Sequence, residues 1–251
     1  LYRQTDDMKY MQIALDLVDQ VHRVLGRHRE DDERSGWISG LDEEEGQAHP
    51  TRGGLRIGKE MGERKPGEPF DERLEWDRDG QYYHYLTKWM HALHLAGKIS
   101  GEVKYDRWAV ELAKAAHAGF TYGPSPAGGK RMYWKMSIDL SYPLVPSMGQ
   151  HDPLDGLITY KELHTQPPDV TGGPGKMVLE KEIAEMSDIC RGKSWSTDDP
   201  LGMGGLLSDA LKVAQLTVSA GSEEVGLLES LLTAALHGLA SFARHNPFQL
   251  P

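Results

Sequence analysis

Cysteine is nearly missing from this chain: Cys190 stands alone among 251 residues. An internal disulfide and a cysteine-built metal cluster are therefore excluded, while the redox compartment stays open. Basic charge is also in deficit, with 28 Lys+Arg against 38 Asp+Glu and a formal net charge of −10. Binding a nucleic-acid backbone needs a basic footprint, so nucleic acid is not an expected partner. No stretch approaches 18 consecutive apolar residues, so no membrane partner is expected either. The opening LYRQTDD has neither Met nor a charged-then-apolar leader, and HNPFQLP closes a strong helix with a loop. Both ends read as cut from something longer.

Cofactor motifs are lacking too. GGPGK at 172–176 has neither the Walker spacing nor a Ser/Thr after its Lys. DRDG at 77–80 is not followed by the later ligands of an EF-hand. Of His84, His91 and His94 only the last two face each other on a helix, which is too few for zinc. Neither a cofactor nor a metal is expected.

Helical periodicity dominates what is there. Met8, Met11, Ile13, Leu15, Val18, Val21 and Leu25 recur at helical spacing over 7–28. Further helices are expected at 72–97, 104–121, 153–164, 176–191, 200–219 and 223–244, with short strands only in 36–58. The expectation is an all-α chain forming one domain over 1–251.

Three of these helices align without gaps: KYMQIALDLVDQVH from Lys9, KYDRWAVELAKAAH from Lys104 and EVGLLESLLTAALH from Glu224. Each ends in a histidine, giving His22, His117 and His237. Such self-similarity signals a repeated unit, although equivalent positions on separate outer helices need not converge on one ligand. Connections at 97–104 and 219–223 are short, as between antiparallel neighbours. Longer loops follow at 29–71 and 122–151, and a shorter one at 192–199. Alternating short and long connections put the long loops on one face, where a site belongs.

Two helices on that face start with Asp-Pro-Leu, in HDPLDG (151–156) and DDPLG (198–202). An N-cap Asp followed by Pro at the first helical position explains Asp152–Pro153 and Asp199–Pro200. Capping does not require the extra acids Asp155 and Asp198. Glu75, Asp77 and Asp79 add carboxylates at the head of the 72–97 helix, where Glu75 and Asp79, four apart, would share a face. An acidic first turn also complements the helix dipole without any catalytic role.

This rhythm of inner helix, turn, outer helix and long loop resembles the six-hairpin (α/α) toroids of carbohydrate-active enzymes. LYRQTDDMKYMQIALDLVD is similar to their recurrent Leu-Tyr-x-x-Thr-Gly-Asp-x-x-Tyr-Leu hairpin, with Asp6 where Gly is commoner, and YDRWAVELAKAAHAGF echoes it. A complete toroid has about twelve helices; the seven here would be part of one, completed by missing segments or a partner chain. The resemblance implies a funnel at the inner-helix N-termini that accepts a carbohydrate. Trp37, Trp134 and Trp195 in the loops, with Trp76 and Tyr82 at the head of an inner helix, offer flat faces suited to sugar rings. Packing loops onto the scaffold is the alternative duty for each. Arg52 and Arg56 could meet an acidic sugar or lie in a solvated loop.

Glycosidic cleavage generally uses two carboxylates, one giving a proton to the leaving oxygen and one activating water or attacking. Glu75, Asp77, Asp79, Asp152 and Asp155 are the candidates. His151 and His84 could instead be acid and base of a sugar epimerase, because imidazole titrates near neutrality. A non-catalytic helical repeat that binds protein or glycan, through the apolar 223–244 helix, is the third reading.

Overall fold

A computed structural model describes residues 1–123, 129–164, 178–220 and 224–244. GGPGK, the first residues of the helix expected at 176–191, and the terminal HNPFQLP lie outside the described residues. Ten helices and five very short strands are found among those described.

The chain begins with α1 (Tyr2–Thr5) and α2 (Met8–Leu25). Asp6, standing at the position where the hairpin motif favours Gly, has φ of 55° and terminates α1 in the left-handed region. Asp is one of the few side chains that tolerate this conformation. Asp7 then caps α2 by accepting from the Lys9 amide at 3.0 Å. After α3 (Glu43–Ala48) and α4 (Glu72–Asp77), three antiparallel hairpins follow. They are α5 (Tyr83–Ser100) with α6 (Val103–Phe120), α7 (Asp152–His164) with α8 (Glu180–Cys190), and α9 (Pro200–Ala220) with α10 (Val225–Arg244).

The first helices of the hairpins adjoin in the order α5, α7, α9, and α2 lies against α5. Side-chain pairings give their direction. Asp155 meets Lys88, and one or two turns later Glu162 meets His91, so α5 and α7 run in parallel. Gly202 lies against the His151 ring while Lys212 reaches Asp155 and Thr159, so α9 follows the same direction. Two apolar clusters hold the array. Tyr83, Met90, Leu93, Leu112, Phe120, Tyr160 and Met186 bind the first two hairpins. Leu154, Ile158, Leu206, Val213 and Leu231 bind the last two.

The expected 72–97 helix is broken in two. Asp79 and Gly80 leave helical geometry, Gly80 at φ 150°, with the Met136 carbonyl and a Leu144 methyl packed against its Cα. Gln81–Tyr82 forms β1 instead, pairing antiparallel with β4 (Lys135–Met136), which pairs in turn with β5 (Pro143–Val145). Between them lie β2 (Thr121–Tyr122) and β3 (Arg131–Met132), a two-stranded ribbon. The strands therefore belong to the long loops around α5, and 36–58 contributes only the isolated bridge from Arg27 to Trp37. Buried Gln81 ties the loops together. Its Oε1 accepts from the Leu55 amide at 2.9 Å, and its Nε2 donates to the carbonyls of Gly53 and Ile138 at 2.8 and 2.6 Å.

The three aligned histidines have three different surroundings. His22 is buried beside Trp89 and Trp108, and burial brings its imidazole down to about 4. His117 pairs with Glu185 at 2.6 Å, while His237 is exposed. Helix α10 is long and apolar enough to cross a membrane by length and composition. It packs on α9 through Leu231, Ala234, Ala235 and Gly238 and leaves Leu236 and Leu239 exposed.

Candidate active site

The polar centre of the helical array lies where α5, α7 and α9 meet. Asp155, in the first turn of α7, is 6% exposed. Lys88 of α5 donates to its Oδ1 at 2.9 Å, Lys212 of α9 reaches the same oxygen at 3.2 Å, and the Thr87 hydroxyl donates to Oδ2. Burial works against the charge on Asp155, but Lys212 and Lys88 outweigh it, and the carboxyl sits below the usual range. Across the contact, buried Asp209 of α9 is 3.7 Å from Lys212. Burial first, and the Asp155 charge second, push the Asp209 carboxyl upward.

Asp152 lies one turn before Asp155 with its carboxylate against Gly149. No described residue donates a hydrogen bond to it, so the expected N-cap role is not what its side chain does. The Asp155 amide bonds the His151 carbonyl at 3.0 Å, so the helical ladder already begins at His151. The residue is partly exposed. Burial, then the Asp155 charge, push its carboxyl up to about 7. In contrast, Asp199 does cap α9, accepting from the Gly202 amide at 2.6 Å. One Asp-Pro-Leu is a folding signal, and the other frees its carboxyl.

Two histidines flank this centre. His84, partly exposed at the start of α5, is held below its ordinary value by burial, with Asp155 opposing and Lys88 assisting. Its imidazole is therefore neutral at neutral pH and able to accept a proton. The His151 Nε2–H donates to the Trp195 carbonyl at 2.8 Å. Because a carbonyl only accepts, this places a proton on Nε2.

The sequence-chosen acids around α4 are differently employed. Asp79 lies outside the helix, so it does not share a helical face with Glu75. Its carboxylate accepts from Arg56 at 2.8 Å, from the Gly58 amide at 2.8 Å and from the Gly80 amide at 3.0 Å, which makes it a clamp for the loop. Glu75 is buried between Arg64 at 2.6 Å and Lys135 at 3.2 Å. Asp77 is exposed at the end of α4. Glu75 and Asp79 are thus each held by cations of the scaffold.

The aromatic candidates divide likewise. Trp76, 55% exposed, has its ring 5.5 Å from that of Trp134, and Trp134 is 5.3 Å from Tyr82. Trp76 and Trp134 line a cleft of about 210 Å³ with Phe70, Glu72, Val145 and Ser147, and Glu75 at its floor. The Trp134 Nε1–H donates to the Ser147 hydroxyl at 2.9 Å, which fixes the ring. Trp37 is instead buried beneath the Arg27 guanidinium and against Gly46, and Trp195 packs in the core of the last two hairpins. Both pack the scaffold and present no face to a ligand. Arg56 is spent on Asp79 and the carbonyls of Arg27 and Val24. Arg52 is exposed, 3.4 Å from Glu111.

Tyr82 connects the two regions. It immediately precedes α5 and is buried, so it packs the scaffold rather than facing a ligand, with its ring centre 5.3 Å from that of Trp134 and 6.0 Å from that of His84. Sequence reading missed Thr87, Lys88, Asp209 and Lys212. A signal existed for the last two, because Asp209 and Lys212 are the charged residues of an otherwise uncharged 21-residue helix. Comparison with known protein families, curated proteins and solved structures finds no match.

Proposed function

We propose that this protein is a carbohydrate-processing enzyme of the glycoside hydrolase kind, acting where α5 and α7 begin. One observation carries the reading: Asp152 and Asp155 have opposite protonation tendencies at the end of the array that also holds the aromatic cleft. A carboxyl near 7 keeps its proton at the working pH and can release it to a glycosidic oxygen. Asp155 is tied to two lysines, so its part is to hold the Asp152 proton rather than to attack. Neutral His84 is the group that takes the proton of an incoming water. Trp76 and Trp134 hold the sugar ring.

The three parallel first helices support an (α/α) toroid or part of one. Aliphatic side chains left exposed on α2 (Ile13, Leu17) and on α9 and α10 (Leu211, Leu236) support further helices packing there, from more of this polypeptide or from another chain. A second activity, sugar epimerisation, is favoured by the same neutral imidazole. Removal of a proton beside a carbonyl needs a base such as His84 and return of a proton needs an acid such as Asp152.

A screen of purified protein against aryl glycosides and reducing sugars separates the readings. Released aglycone supports hydrolysis, and a changed sugar configuration supports epimerisation. Neither outcome, with saccharide binding retained, leaves a glycan-binding repeat. Asp152→Asn should abolish whichever activity is found, and full activity in that variant would refute the assignment.

A further inference from the structure

The cleft beside α4 has a chemistry narrower than sugar binding in general. Three aromatic side chains, Phe70, Trp76 and Trp134, line it with Val145, and at about 210 Å³ it lies below the range of about 300–1,000 Å³ usual for drug-sized ligands. It suits one ring or one compact group. Its charges are uneven. Glu75 at the floor is one carboxylate between two cations, Arg64 and Lys135, so its own charge is not available to a ligand. Arg64 is further engaged by the Leu144 carbonyl at 2.7 Å, and Lys135 by the Arg78 carbonyl at 3.1 Å. Glu72 also lines the cleft, is exposed, and has no hydrogen-bond or ion-pair partner among the described residues. Glu72 and Trp76 are four apart on α4 and share its face. An unspent carboxylate beside indole faces is an arrangement that attracts a cation, through the charge and through the negative ring faces together.

We propose that the cleft binds a cationic group, and that the substrate is an amino sugar whose protonated amine lies between Glu72 and the rings of Trp76 and Trp134. The choice of an amino sugar rests on the carbohydrate reading above, whereas the preference for a cation does not. A neutral sugar would leave Glu72 unpaired and gain only ring contact. An anionic sugar would meet Glu72 as a like charge.

Tryptophan fluorescence titrations test this with four probes at about pH 6, below the α-amino range of about 7.7–8.0, so that an amine is protonated. The probes are chitosan tetrasaccharide, its fully N-acetylated counterpart, cellotetraose and tetramethylammonium. Chitosan tetrasaccharide should bind about 3- to 30-fold more tightly than either neutral tetrasaccharide. Glu72→Gln, at an exposed position that does not endanger folding, should erase that preference. Glu30→Gln, an exposed acid on a different loop, should preserve the preference, which separates the cleft from general attraction to an acidic protein. Equal affinity for cellotetraose, or a preference that survives Glu72→Gln, overturns the cation proposal and leaves the carbohydrate reading standing. Binding of tetramethylammonium with no saccharide binding keeps the cation site and overturns the carbohydrate reading. Binding of none of the four overturns both.

Discussion

Asp152 and Asp155 sit one turn apart on α7 and hold their protons oppositely: the first is pushed up to about 7, the second lies below the ordinary carboxylate range. The difference comes from the neighbours. Lys88 and Lys212 converge on Asp155 from two other helices, and neither donates to Asp152. Burial first, and the ionised Asp155 second, then raise Asp152.

The first prediction follows from Asp152. Its folded value is raised above the ordinary 3.8, so between about pH 4 and 7 the folded state binds a proton that the unfolded chain has released. Stability contributed by this group is complete below that window and falls as pH rises through it. Asp152→Asn removes the dependence and should stabilise the protein at about pH 8 by roughly 1–3 kcal/mol, allowing for solvent screening at a partly exposed residue. Urea melts at about pH 4 and 8 measure this, and a variant no more stable than the parent at the higher pH contradicts the raised value.

Asp155 should behave in the opposite way. Replacing it by Asn leaves Lys212, which is 8% exposed, without its main counter-charge. Loss of about 3–5 kcal/mol is expected, because removing one partner strands a buried charge. The double variant Asp155→Asn, Lys212→Met should recover part of that loss. Loss of activity in Asp155→Asn with unaltered thermal stability would instead make Asp155 a direct participant in the chemistry.

The two Asp-Pro-Leu turns can be told apart at Asp199. Asp199→Ala should cost about 0.5–2 kcal/mol through loss of the α9 cap, and Asp199→Asn should be nearly neutral. Asp152→Ala should show no such cap penalty. Equal destabilisation by both alanine variants would restore a capping role to Asp152.

The tryptophans should sort into two sets. Phe at position 76 or 134 should weaken saccharide binding with little effect on melting, because Trp76 is 55% exposed and Trp134 only partly buried. Phe at position 37 or 195 should lower stability by about 1–3 kcal/mol, since both rings fill the interior. Ligand-binding and thermal-denaturation curves for the four variants should therefore fall in opposite order.

Much of the helical content was legible because apolar spacing follows burial. Met8 to Leu25, Val103 to Phe120 and Val225 to Arg244 each carry an apolar stripe, and observed helices match expected ones within a few residues. Their alignment in the sequence did not carry over to their surroundings, since His22 is buried between two indoles, His117 pairs with Glu185 and His237 is exposed. The acidic residues Asp152 and Asp155 were conspicuous because one cap explains only one acid.

Tertiary structure decided the rest. The helical pattern across 72–97 runs through DRDG with little warning. The break at 78–82 exists because Asp79 collects amides and guanidinium groups from a loop more than twenty residues away, together with the next residue's amide. Trp37 and Trp76 are equally aromatic on paper, yet one is buried and the other exposed, because only folding determines which loop covers which ring. Likewise, nothing local marks Asp155 as ionised and Asp152 as a proton holder. That distinction depends on Lys88 and Lys212, 67 and 57 positions away in the chain, and electrostatic energy depends on distance in space rather than along the sequence.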